Sequence, residues 1–234
     1  MEPYKLPLRA AEAEFTEKKS RFISSISPVS SEEEALIFMS LIRNKHSEAT
    51  HNVYAYRIKT TGVYRRSDDG EPSGTAGTPL LEVFMKRDIY DFCCVATRYF
   101  GGILLGAGGL VRAYARCGAI ALEASGVGIM REMLLCAIKL PYSLYESAKR
   151  LLSIHSAGID TEDFGAQVDI RFLVNEENFA ALSDNFQELT SGTVTIHKEG
   201  HRKSLVTTGE KDEYYTSDSI IKDDIANDRK EIGD

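Results

Sequence analysis

Tyr90-Asp91-Phe92-Cys93-Cys94-Val95-Ala96-Thr97-Arg98-Tyr99, followed by Phe100-Gly101-Gly102-Ile103-Leu104-Leu105-Gly106-Ala107-Gly108-Gly109, decides how this chain folds. The first ten residues are a short apolar, β-favouring run, the pattern of a strand buried on both faces. The next ten hold five glycines, which only a turn-rich segment needs. An Ala-rich stretch then carries helical spacing from about Leu110 to Ala124, and Gly126 ends it. Strand, glycine-rich turn and helix therefore follow one another at the centre of the first half.

Upstream, Phe15, Phe22, Ile23, Ile26 and Val29 surround a Glu17–Arg21 polar run and predict a strand or short hairpin ending at Pro28. Ser30-Ser31-Glu32-Glu33-Glu34 is a helix start, with a capping hydroxyl and acids in the first turn. Ala35, Leu36, Met39 and Ile42 carry that helix to about Lys45. Residues 50–58 alternate as a strand, and Gly62 turns the chain into a second short strand through Tyr64. Residues 67–79 are a long polar loop, and Pro79 fits the first turn of a helix over 77–86.

Downstream the order is a strand at 130–140, a helix at 142–156 and a strand over 159–174 broken near Gly165. A helix at 176–190 and a strand at 193–199 follow. That succession, β-α-β-β-α-β, is the split pattern of a ferredoxin-like domain. The fold class is α+β in two domains, 1–127 and 128–204, with 205–234 an acidic tail expected to be mobile and to hold one short helical piece near Ile220–Ile225.

Hydrophobic residues are 43% of the chain and charged residues 27%, which suffices for real cores. The net charge of −7 is uneven: residues 1–135 balance at +1 and residues 136–234 at −8. A broad nucleic-acid footprint on the second half is thereby disfavoured. Cys93, Cys94, Cys117 and Cys136 include no Cys-x-x-Cys pair, so they read as core filling in a reducing compartment. Residues 1–10 lack an apolar secretion segment, and no apolar run approaches the roughly 20 residues that cross a bilayer. A cytoplasmic chain without membrane contact is expected.

Three polar segments could carry chemistry: residues 45–52, residues 68–77, and Thr97–Gly102 running on to Tyr114. Their glycines would let backbone N–H groups approach an anion at the start of the 110–124 helix, with Arg98 and Arg112 supplying charge. The structural alternative is tight turns, with the arginines paired to Asp68, Asp69 or Glu71. The spacing matches neither a Walker A loop nor a dinucleotide-binding fingerprint. His46, His51, Asp68 and Asp69 have no recognised ligand spacing, so no metal and no cofactor are expected. Ser73 or Thr75 would serve as a nucleophile only with a base such as His51 nearby in space. No catalytic residue is assigned.

Taken in order, these segments resemble the IMPACT family, also called YigZ. The likeness runs through Lys18-Lys19-Ser20-Arg21-Phe22, His51-Asn52 with Tyr54-Ala55-Tyr56, and Asp68-Asp69-Gly70-Glu71-Pro72 with Gly74-Thr75-Ala76-Gly77. Its most specific part is Arg98-Tyr99-Phe100-Gly101-Gly102 with Leu105-Gly106. The resemblance implies a first domain like the second domain of ribosomal protein S5, a mixed sheet backed by two helices. It implies a ferredoxin-like second domain similar to one of elongation factor G. Eukaryotic relatives regulate translation by competing for an activator of the starvation-responsive initiation-factor kinase, through an added RWD domain. This chain is read as lacking that domain, which leaves the kinase-pathway role without its anchor.

Two functions follow as expectations. The first is a binding or regulatory protein linked to translation, acting on RNA, the ribosome or a translation-related protein, with Lys18, Lys19, Arg21, Arg65 and Arg66 as the candidate nucleic-acid residues. The second is a phosphate- or nucleotide-ligand enzyme whose candidate residues are His51, Asn52, Asp68, Asp69, Glu71, Thr75, Arg98, Gly101, Gly102, Gly106 and Arg112. The oligomeric state is left open.

Overall fold

A computed structural model describes residues 2–207 and 214–215, and divides the chain into two compact units, the first of residues 4–128 and the second built on residues 129 onward. Expectations for the chain beyond Thr207, including the helical piece near Ile220–Ile225 and most of the acidic tail, lie outside the described residues.

The first unit opens with β1 (Tyr4–Pro7) and the hairpin β2 (Ala11–Glu17) and β3 (Ser20–Pro28). Lys18 and Lys19 turn that hairpin, both at positive φ, the backbone twist a two-residue hairpin loop needs. Helix α1 (Glu32–Lys45) follows. The Ser31 side chain accepts from the Glu34 N–H at 3.2 Å, while Glu34 reaches back to the Ser30 N–H at 2.6 Å, a reciprocal cap of the kind the sequence announced. Next come β4 (His51–Arg57), β5 (Tyr64–Ser67), α2 (Gly77–Lys86), β6 (Phe92–Tyr99) and α3 (Ala107–Ser125).

The sheet order is β2-β3-β6-β4-β5. Each of these pairings is antiparallel, where a mixed sheet was expected. β6 is the middle strand. Its side chains alternate between two cores, which is why its sequence is apolar without a break. Phe92, Cys94 and Ala96 pack with α2 and α3, and Cys93 and Val95 pack under α1 through Ala35, Met39 and Ile42. The three helices, each expected from the sequence, thus cover both faces, where the resemblance implied two helices behind the sheet.

The second unit contains β7 (Val127–Leu140), a short 3-10 turn at Tyr142–Leu144, α4 (Tyr145–Ile154), β8 (Gly158–Phe164), β9 (Val168–Val174), α5 (Glu176–Thr190) and β10 (His197–Thr207). The strand order β10-β7-β9-β8, with helices after the first and third strands in sequence, is the ferredoxin-like arrangement. Phe172 and Phe186 sit at its core beside Leu152 and Leu182. β10 runs to Thr207 and pairs with β11 (Tyr214–Tyr215) through Leu205 and Val206, so the strand extends past residue 204, where the tail was expected to begin. No helix among the described residues is long and apolar enough to cross a membrane.

Candidate functional site

β3, β6 and β4 lie side by side, and their register sets Phe22 and His51 on either side of Arg98. Ser20, Arg98 and His51 share the sheet face covered by α2 and α3, because side chains alternate along a strand. The 68–77 loop, the β2–β3 turn and the 100–106 segment all leave the sheet at this one end. The three motif segments therefore converge in space.

At their centre is a buried ion pair. Arg98 donates from Nη1 to Glu71 Oε1 at 2.6 Å, and both side chains are 5% exposed or less. The Tyr114 hydroxyl of α3 donates to the same oxygen at 2.7 Å. Arg98 Nη2 reaches Ser20 Oγ at 3.2 Å, and that oxygen also accepts from the Gly101 N–H at 3.2 Å. The guanidinium stands 5.5 Å from the Phe22 ring centre and 5.3 Å from that of Phe100. Burial and the Glu71 carboxylate push the Tyr114 phenol well above its ordinary pKa, so it stays a donor. Arg98 thus ties the loop, the helix and the β2–β3 turn together.

Asp68 organises the rest of the loop. Its Oδ1 accepts from the Ala76 and Gly77 N–H groups at 3.0 and 2.8 Å, and its Oδ2 from Gly74 at 2.8 Å. Ala76 and Gly77 open α2, which has no side-chain cap of its own, so a distant carboxylate serves that helix start. Burial alone would raise the Asp68 pKa, but the three backbone donors and Arg66 outweigh it and hold the carboxyl below its usual range. Asp69, at positive φ, accepts the Asn52 N–H at 2.6 Å. Its carbonyl takes the His51 Nδ1 proton at 2.8 Å, which leaves His51 Nε2 facing Glu71 Oε2 at 3.9 Å. Thr75 donates to the Pro72 carbonyl, and Asn52 Oδ1 accepts from Thr97 at 2.8 Å.

The ligand candidates are therefore together, and most are already engaged within the chain: His51, Asn52, Asp69, Glu71 and Arg98 bond within the set, while Asp68 and Thr75 bond the loop backbone. Gly101 sits against the Lys19 backbone so closely that a Cβ would fall 2.0 Å from its carbonyl atoms. Gly102 and Gly106 adopt positive φ in open space. Arg112 is exposed, its guanidinium folded back over Gly108 in the first turn of α3. No hydrogen bond among the described residues joins Ser73 to His51, whose Nε2 faces Glu71 instead. Among the described residues no cluster of His, Cys, Asp or Glu is arranged to hold a metal.

The basic candidates are not gathered. Arg65 and Arg66 lie on edge strand β5, at the opposite edge of the sheet from β2, about 19 Å away by strand spacing. They point to opposite faces, Arg66 bonding Thr78 of α2 and Arg65 lying opposite Tyr56. Arg21 is paired with Glu14 at 2.6 Å. Only Lys18 and Lys19 remain at the converged end. On the second unit, the open sheet face forms a cleft of about 960 Å³ whose lining holds no Phe, Tyr or Trp and offers only His197 and Arg171 as planar groups for a base to stack on. Its charges pair crosswise, Lys139 with Asp169 and Arg171 with Glu199.

Sequence reading missed two partners, Ser20 and Tyr114, and one property. Phe100, Ile103, Leu104 and Val111 are exposed large apolar side chains on the segment that the buried pair anchors, Leu104 at 81%. The signal was present in Ile103-Leu104-Leu105 between glycines, an apolar run of which only Leu105 packs against the core while Ile103 and Leu104 stay out.

Comparison with known proteins adds the following. The Impact N-terminal domain matches residues 18–122, and a domain of unknown function, DUF1949, matches residues 138–193. The Bacillus subtilis IMPACT family member YvyE is 43% identical over 200 residues, covering 82% of this chain and 88% of that protein. Mouse protein IMPACT is 37% identical over 111 residues, covering 45% of this chain and 34% of its own length. A crystal structure described only as a hypothetical protein superposes with a TM-score of 0.54 at 28% identity, covering 90% of this chain and all of the other.

Proposed function

The chain belongs to the IMPACT family, and from that premise we propose that it is a binding and regulatory protein of translation which docks on ribosomal protein surface through residues 100–112. The observation that carries this reading is the exposure of Phe100, Ile103, Leu104 and Val111 on one short segment. Apolar side chains held out on a rigid support are what a protein partner buries, whereas an RNA footprint rests on clustered cations. The support is the Arg98–Glu71–Tyr114 network, which fixes where the segment leaves the sheet. Burying Leu104 would contribute about 2 kcal/mol, roughly 30-fold in affinity.

The test is co-sedimentation of the purified chain with intact ribosomes and, separately, with protein-free ribosomal RNA at two salt concentrations. Binding to ribosomes with a shallow salt dependence, lost in Leu104→Asp, is expected. Binding to naked RNA that falls steeply with salt and is lost in Arg65→Glu/Arg66→Glu, or no binding to either, would overturn the reading.

One observation favours a second reading, a phosphate-bearing ligand. The start of α3 is uncapped by any side chain, and Arg112 folds over its first turn. A thermal shift with nucleotides that disappears in Arg112→Ala would support it. A ligand taken at Arg98 is disfavoured, because it would have to displace Glu71 from a buried pair.

A further inference from the structure

Helix α1 buries Ala35, Met39 and Ile42 against the sheet, the stripe any amphipathic helix of this length needs. Its opposite side is not polar. Leu36, Ile37 and Leu41 are 57%, 62% and 52% exposed, so a second apolar stripe faces outward with nothing from the described residues upon it.

The charges around that stripe are ordered. Glu33, Ile37, Leu41 and Lys45 succeed one another four residues apart and form one ridge, and all four are exposed. Along the ridge the sequence is acid, apolar, apolar, base. Met39 lies midway between Ile37 and Leu41, and also midway between Glu33 and Lys45. A second copy laid antiparallel, with a two-fold axis passing level with Met39, would set Ile37 against Leu41 and Glu33 against Lys45. Each contact would occur twice, as a self-complementary interface requires. Packing of such four-residue ridges against each other is the commonest way two helices meet.

Glu33 is suited to this role. Its neighbours are in use, Glu32 by the Tyr56 hydroxyl and Glu34 by Ser30, whereas no hydrogen bond or ion pair within the described residues engages Glu33. Lys45 holds Glu12 at 2.9 Å, but both ends of that pair are more than 40% exposed, leaving ammonium protons free to share.

We propose that α1 is the contact face of a homodimer, in which the Glu33-Ile37-Leu41-Lys45 ridge packs antiparallel against the same ridge of a second copy. One helix face is smaller than the roughly 800 Å² per partner of a tight complex, so the dimer forms at high concentration and dissociates on dilution.

Sedimentation of the full chain from about 5 µM to about 500 µM reads this directly. The mass should rise from one chain toward two across the range, and Ile37→Glu should abolish the rise. Glu33→Lys alone and Lys45→Glu alone should each stay monomeric, because each places like charges at both ends of the ridge pair. Their equimolar mixture should regain the association, since every contact then joins an acid to a base. A wild-type chain that stays monomeric throughout would overturn the proposal and hand the stripe to some other partner. So would Glu33→Lys dimerising as well as wild type, or a mixture no better than its components. Unchanged circular dichroism spectra would separate lost association from lost fold.

Discussion

Replacing Arg98 by Met removes the guanidinium while keeping much of the stem. The structure leaves the Glu71 carboxylate then buried, 3% exposed, with the Tyr114 hydroxyl its one hydrogen-bond donor among the described residues and His51 Nε2 3.9 Å away. Removing one partner of such a pair costs about 3–5 kcal/mol, because the other charge stays buried and uncompensated. That is a large share of the roughly 5–15 kcal/mol that stabilises a domain. Two units need not unfold together, so the assay should report on the first alone. Amide exchange of β6, the central strand, does so, and a loss of about 3–5 kcal/mol speeds it by two to three and a half powers of ten. Arg98→Met combined with Glu71→Leu should recover much of the loss, because an apolar replacement of the whole pair leaves no lone charge. Exchange in Arg98→Met accelerated less than tenfold would refute the assignment of Arg98 as the tie between loop, helix and turn. Equal damage in the single and double variants would refute the electrostatic part of the reasoning.

Three other outcomes follow from the same geometry. Gly101→Ala should destabilise the first unit by about 1–3 kcal/mol in a denaturant titration, because the new methyl meets the Lys19 backbone rather than a flexible side chain. The Asp68 carboxyl titrates below its ordinary value when folded, so its contribution is complete above the unfolded pKa and is lost as the pH falls through the depressed folded one. Protection of the Gly74, Ala76 and Gly77 amides should therefore decay on acidification, and Asp68→Asn should remove that dependence while lowering protection at neutral pH. Burial raises the Cys94 thiol to about 12 and the Cys136 thiol to about 11, so neither should be alkylated at pH 8 until the chain is denatured.

The course of the chain was largely legible because its elements announce themselves in apolar period and in caps. Ser31 with the acids after it placed α1, and Pro79 placed α2. The errors have physical causes. α3 begins at Ala107 rather than near Leu110, since Gly108 and Gly109 look like loop, yet the first turn of a helix has no intrahelical N–H bonds to lose. β5 was expected to end at Tyr64 and instead occupies Tyr64–Ser67, because Arg65 and Arg66 are the charged residues that an edge strand carries. β1 escaped notice, being four residues that follow Pro3 and end on Pro7, held partly by the Lys5 carbonyl accepting from Tyr90. β10 was placed too early, at 193–199, because residues 200–203 carry no apolar period, while the buried Ser204, Leu205 and Val206 come after them.

For the site, the motif positions were visible and their pairing was not. Glu71, Asp68 and Asp69 look equivalent in sequence, but they face a buried arginine, a helix start and a strand amide respectively. Only the strand register, with Arg98 opposite both Phe22 and His51, decides which carboxylate meets the guanidinium. The five basic candidates read as one surface in sequence, and sheet order together with strand alternation separates them.

The most direct test of residues 100–112 as the docking surface is side-chain oxidation footprinting, comparing the chain alone with the chain on purified ribosomes. Protection should fall on Phe100, Ile103, Leu104 and Val111 and spare Tyr64 on β5. Protection of Tyr64, with Leu104 as reactive as in the free chain, would contradict the account.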